Sequence, residues 1–301
     1  MAKIPCILDT DIGGDIDDTW ALAMLLRSPE LDLRLVVSDT GNTVYRARVA
    51  AKLLEIAGRT DVPVGVGIRQ DVGSGPQAPW VEGYELDSYP GTIHEDGVGA
   101  LIEAIMASPE SVTLICIGPV PNIAAALEQE PRIAENARFV GMHGSVRLGY
   151  GGSRKVDAEY NVRADAAACR AAFAAPWEVT ITPLDTCGLV TLAGKRYAQV
   201  RDSRDPLARA VIENYRIWAS RVEWTRADPE AASSTLFDTV AVYLAFSEGL
   251  LMMEELGLRV TEDGHTLPDK DAKPVRCAMG WRDLQAFEDL VVQRLTGKRT
   301  V

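Results

Sequence analysis

Five aspartates fall within ten residues, at Asp9, Asp11, Asp15, Asp17 and Asp18, directly behind the apolar run 4–8. Carboxylates 4 Å apart repel by roughly 4 kcal/mol at a protein-like dielectric. Either a carboxyl takes up a proton, or a hard divalent cation sits among the oxygens. Aspartate also suits helix N-caps and the positive end of a helix, so one or two of these could simply cap. Five behind a buried strand exceed that need. An EF-hand is excluded, because its loop requires Glu at the twelfth position. Counted from Asp9 that position is Trp20, and from Asp11 it is Leu22. The cluster therefore reads as a site for a cation or for proton transfer.

The elements around it must place those carboxylates. The run 4–8 reads as a buried strand, Gly13 and Gly14 permit a tight bend, and 19–27 reads as a helix with Trp20, Ala21, Met24 and Leu25 on one face. Ligands of parallel α/β sheets bind outside the carboxyl ends of strands, which is where this loop falls. The alternation continues. Strands are expected at 33–37, 62–66, 112–117, 137–142 and 178–181, and helices at 44–57, 97–107, 121–128 and 164–174. Helices are also expected at 206–224, 238–246 and 281–295, with strand and turn signals over 258–279. A Gly- and Pro-rich loop spans 70–90, and a second Gly-rich loop spans 144–152. The pattern predicts one domain, 1–301, of the α/β class, with a mainly parallel central sheet flanked by helices.

A net charge of −12 argues against nucleic acid and anionic membranes as partners. No run of about 18 apolar residues exists to span a bilayer. The start, 1–5, shows no signal-peptide pattern. Cysteines 6, 116, 169, 187 and 277 are odd in number, lack Cys-x-x-Cys spacing, and suggest neither zinc nor a disulfide framework. A reducing, cytoplasmic location is expected.

Several segments together resemble the inosine-uridine preferring nucleoside hydrolases. Asp9-Thr10-Asp11-Ile12-Gly13 with Asp17-Asp18 and Ala21-Leu22 is similar to that family's N-terminal signature. Thr40-Gly41-Asn42, Ile93-His94-Glu95-Asp96-Gly97 and Ile117-Gly118-Pro119-Val120-Pro121-Asn122-Ile123-Ala124 follow in the family's order. Met142-His143-Gly144, Ala158-Glu159-Tyr160-Asn161 with Asp165, Pro183-Leu184-Asp185-Thr186 and Leu236-Phe237-Asp238 complete the series. The matches run over about 4–250. The resemblance implies a Rossmann-like nucleoside hydrolase fold and a nucleoside substrate. It also implies a homodimer or homotetramer, and a Ca²⁺ ion held by Asp11, Asp18, the Ile117 carbonyl and Asp238. It further implies that Asp11 deprotonates a metal-held water, which attacks the anomeric carbon. Asp17, Asn42, Glu159, Asn161 and Asp238 would then hold the ribose. Departure of the base through an oxocarbenium-like sugar calls for a donor on the base side.

Here the chain departs from the better-known branch, which has His where Phe237 stands. His94 is the expected substitute, with His143 behind it and His265 in a polar turn. Ser153 stands where an Asn often contacts the sugar. Trp80, Tyr84, Trp218 and Trp224 could line a base pocket or pack in the core. Two other readings stay open at this stage. One is a noncatalytic ribosyl-ligand-binding protein. The other is a phosphatase of the haloacid dehalogenase type, suggested by Asp9-x-Asp11.

Overall fold

The structure is a computed structural model that describes residues 2–70, 72–225 and 227–297. Ten strands form one sheet. They are β1 (Ile4–Thr10), β2 (Leu31–Ser38), β3 (Val64–Val66), β4 (Ile93–His94), β5 (Val112–Cys116), β6 (Ala137–Met142), β7 (Val179–Thr182), β8 (Leu251–Val260), β9 (Thr266–Pro268) and β10 (Pro274–Trp281). Their order is β4-β3-β2-β1-β5-β6-β7-β10-β8-β9. The strands from β4 across to β10 pair in parallel, whereas β8 and β9 add antiparallel pairs at the far edge. The central strands are apolar on both faces, as a sheet covered on both sides requires. In β1, Cys6 and Leu8 pack into the core on one face while Ile7 packs into the core on the other.

Eleven α-helices are described: α1 (Asp17–Leu26), α2 (Thr43–Ile56), α3 (Gly97–Met106), α4 (Pro121–Gln129), α5 (Ile133–Asn136), α6 (Tyr160–Ala164), α7 (Ala166–Ala174), α8 (Gly194–Arg201), α9 (Pro206–Ala219), α10 (Thr239–Leu244) and α11 (Leu284–Thr296). From β1 the chain builds outward through β2 and β3 to β4. It then crosses back to lay β5 against the other side of β1. The loops leaving β1 and β5 therefore diverge, and a crevice opens between them at the carboxyl end of the sheet.

Three expectations shift in detail. The helix expected at 164–174 is two helices, because Asp165 leaves helical geometry and caps α7 through the Ala168 amide. The helix expected at 206–224 ends at Ala219, which releases Trp224 to the surface. The segment 70–90 is no free loop: two short 3₁₀ turns, Ala78–Val81 and Leu86–Ser88, anchor it, with Trp80 and Val81 buried.

Candidate active site

The acidic loop leaves β1 at the crevice and is held by its backbone. Thr10 Oγ1 accepts the Ile12 amide at 3.1 Å and donates to Asp18 Oδ1 at 2.5 Å. Four successive carbonyls are each met by a long side chain from another element. Arg46 Nη1 donates to Ile12 O at 3.1 Å, and the Tyr45 hydroxyl to Gly13 O at 3.0 Å. Trp218 Nε1 donates to Gly14 O at 3.0 Å, and Gln77 Nε2 to Asp15 O at 2.7 Å. Gln77 is fully buried, and its Oε1 accepts from Asn214 and Thr19. Gly13 has φ +99°, and a Cβ there would lie 2.8 Å from the Tyr45 ring. Only glycine fits that turn.

This scaffold gathers the carboxylates. Asp17, Asp18 and Asp238 each present an oxygen within 4.8 Å of the others'. All three are buried, and the Asp238 amide donates to Asp17 Oδ2 at 3.3 Å. Burial first, then repulsion from neighbouring aspartates (Asp15 on Asp17, Asp11 on Asp18, Asp17 on Asp238), pushes all three carboxyls well above the usual range. Asp11 is raised by burial too, but the Arg46 guanidinium, 3.6 Å away, pulls it down. Opposite, at the end of β5, the Ile117 carbonyl accepts from Asn161 Nδ2 at 3.2 Å, which leaves it a second lone pair. Buried carboxylates with a carbonyl across from them form an all-oxygen donor set, the kind a hard divalent cation takes.

The carboxylates form the floor of a cavity of ≈ 480 Å³ that reaches the surface. Glu159 and Asn161 line its wall. Glu159 is the N-cap of α6 and accepts the amides of Gly144, Asn161 and Val162. Burial nonetheless lifts its carboxyl to about 7. The mouth carries Tyr150, Tyr160, Trp224 and Phe237, with Arg163 as the one cation among the lining residues described. A polar, anionic floor under an aromatic mouth suits a ligand with a hydroxyl-rich end and a flat end.

The family model described as inosine-uridine preferring nucleoside hydrolase matches residues 6–289. The chain belongs to that family. It is 31% identical over 227 residues to the non-specific ribonucleoside hydrolase RihC of Klebsiella pneumoniae, covering 71% of this chain and 73% of that protein. It is 25% identical over 272 residues to a probable uridine nucleosidase 2 of Arabidopsis thaliana, covering 86% and 83%. Among solved structures, a plant nucleoside hydrolase, the PpNRh1 enzyme, superimposes with a TM-score of 0.80 at 23% identity over 99% of this chain and all of that one. This nucleoside hydrolase is therefore an N-glycosyl hydrolase that splits nucleosides into base and ribose. The phosphatase and noncatalytic readings fall away.

The expected site residues divide into two groups. Asp11, Asp17, Asp18, Ile117, Glu159, Asn161 and Asp238 all line the one cavity. His94 does not. It lies half-buried on β4, in register with Gly65, which pairs with Val37, which pairs with Asp9. Three strand spacings separate it from β1, about 14 Å at ~4.8 Å each. Its segment is consumed by structure, since Asp96 caps α3 through the Gly99 amide. Asn42 is not among the residues that line the cavity either, and its Oδ1 caps α2 at the Tyr45 amide. His143 is fully buried against Phe139 and Phe173, with Nε2 on the Gly118 carbonyl, and burial lowers it to about 4. His265 pairs with Asp263 at the surface. Of the candidate pocket aromatics, Trp224 reaches the cavity, Trp80 and Trp218 are buried, and Tyr84 bonds Glu55. The sequence reading missed Arg46, Tyr150 and Arg163. Nothing in their spacing marked them, because each acts through a contact between segments far apart in the chain.

Proposed function

We propose that this enzyme is a Ca²⁺-dependent hydrolase of ribonucleosides, with the ion held by Asp11, Asp18, Asp238 and the Ile117 carbonyl. The observation that supports this reading is the buried Asp17–Asp18–Asp238 cluster, which lines one cavity together with Asp11 and Ile117. Such an ion supplies positive charge that acidifies water and orients sugar hydroxyls. The rest falls to the protein. Asp11 takes the proton of the attacking water, and its ion pair with Arg46 fixes the direction of the carboxylate. Asp17, Asn161 and Asp238 hold the ribose, with Glu159 closing the wall. As the N-glycosidic bond breaks, positive charge spreads over the anomeric carbon and ring oxygen, and the carboxylates of the floor stabilise it. Asn42 and His94 have no part in this reading. The five free, buried cysteines support a cytoplasmic location, and a homodimer or homotetramer belongs to the same reading. No described helix is long and apolar enough to cross a membrane.

The test is a panel of purine and pyrimidine nucleosides, assayed for free ribose with Ca²⁺ and with a strong chelator, beside elemental analysis of dialysed protein. Ribose release that needs Ca²⁺ is expected. Full activity in chelator, or stoichiometric zinc, refutes the metal assignment.

A further inference from the structure

Breaking the N-glycosidic bond drives an electron pair onto the base, and something on the base side must meet that charge. Phe237 has no proton to give, and neither His94 nor His143 lines the cavity. Three observations converge on Tyr150. It lines the cavity mouth and is 43% exposed. Its ring packs edge-on against Phe237, with centroids 6.0 Å apart and planes at 85°. Its hydroxyl oxygen accepts the Tyr160 amide at 3.0 Å. That bond pins the oxygen and uses a lone pair, so the hydroxyl proton stays available. None of the hydrogen bonds among the described residues takes up that proton.

The backbone around it is fixed as well. The Gly149 amide donates to Ser153 O, and the Tyr150 amide donates to Asp157 Oδ2 at 3.0 Å. Burial raises the Tyr150 phenol above its ordinary value, so it donates without ionising. Arg163 stands on the same short helix as Tyr160, three residues on, and places its cation at the same mouth.

We propose that the Tyr150 hydroxyl is the hydrogen-bond donor to the departing base and fills the place of the missing histidine. This rests on the reading of the cavity as the nucleoside site. The step balances without proton transfer from tyrosine. The bond from the anomeric carbon to the base nitrogen breaks, with both electrons going to the base. Water oxygen bonds to the anomeric carbon, and its proton goes to Asp11. The base anion, held by the Tyr150 O–H beside the Arg163 cation, is then protonated by solvent at the mouth. A donor of this kind favours bases that carry an acceptor oxygen or ring nitrogen.

The experiment is Tyr150→Phe, which keeps the ring against Phe237. Inosine and uridine are compared with p-nitrophenyl riboside, whose phenolate leaves without help. The expected result is a loss in kcat/KM of about 10- to 100-fold on the nucleosides, with p-nitrophenyl riboside changed by less than about 3-fold. Melting temperature and Ca²⁺ affinity should stay at wild-type values. Equal losses on both substrate types would show a structural role and overturn the proposal, as would no loss on either. Wild-type protein inert toward both substrates would sink the cavity reading and the tyrosine with it.

Discussion

The floor of the cavity should make the metal-free enzyme lose stability as pH rises, and Ca²⁺ should reduce that loss. The sign follows from linkage. Asp17, Asp18 and Asp238 have folded-state values well above the ordinary carboxyl value. The folded state then holds protons that the unfolded state has already released, so stability falls with pH until the folded groups ionise. His143 works in the opposite direction, since burial holds it down near 4. Its contribution is complete above the unfolded histidine value of about 6.5. The window from about pH 6.5 to about pH 8.5 thus leaves only the acids, with Asp9 and Glu159, each lifted to about 7 by burial, adding to the fall. The three carboxylates lie within 4.8 Å of one another, so each one that ionises makes the next harder to ionise. Each proton the folded floor holds across those two pH units lowers stability by about 2.7 kcal/mol. At about 2 °C per kcal/mol for a chain of this size, that is a fall of about 5 °C in melting temperature per proton so held. Ca²⁺ at about 100 times its dissociation constant returns about 2.7 kcal/mol, and it does so more fully toward the alkaline end, where it displaces fewer protons. The assay is thermal unfolding in chelator and in Ca²⁺ across that window. A melting temperature in chelator that is flat or rising from about pH 6.5 to about pH 8.5, or a fall of equal size in Ca²⁺, refutes the reasoning.

Other perturbations separate the roles. Asp11→Asn keeps the shape but removes the proton acceptor, so kcat should fall by at least about 10³ with KM little changed, and near-normal turnover would reject Asp11 as the base. His94→Ala should alter kcat/KM by less than about 3-fold on any nucleoside, since its strand lies so far from the floor; a loss above about 10-fold would restore it as a candidate. Tyr45→Phe removes the donor to Gly13 O and leaves a buried carbonyl unpaired, at a cost of about 1–3 kcal/mol. It should lower both the melting temperature and Ca²⁺ affinity, whereas Tyr89→Phe, which deletes the hydroxyl bonded to Val62 O, should lower only the former.

Most of the sheet was legible in the sequence, because strands buried on both faces read as mostly apolar runs, as 4–8, 112–117 and 137–142 do despite Thr113 and Arg138. The break between α6 and α7 was hidden, since helix-forming alanines surround Asp165 and only its cap to Ala168 reveals the boundary. The floor of the site was legible because its carboxylates are crowded within one loop or lie on matched motifs. His94 misled for the opposite reason. Its motif matched, but two strands intervene between β4 and β1, and strand order is a long-range property that local spacing does not encode. Tyr150 was invisible in the same way: its meaning lies in an edge-on contact with Phe237, 87 positions away (237 − 150).

The acidic loop joins these threads. A loop with five aspartates and two adjacent glycines has every electrostatic reason to open and every conformational freedom to do so. It stays closed because Arg46, Tyr45, Trp218 and Gln77 each take one of four consecutive carbonyls. These donors come from α2, from α9 and from the long segment after β3, so the loop is one place where all three elements meet. That gives the 72–90 segment a reason to be ordered, and it gives Asn42 a part: by capping α2 it fixes the helix that presents Tyr45 and Arg46. The clamp holds the backbone but cannot neutralise the carboxylates, because among the described residues Arg46 is the one cation in an ion pair with them, and it faces Asp11. A site so held in shape and so short of positive charge is preorganised for a cation.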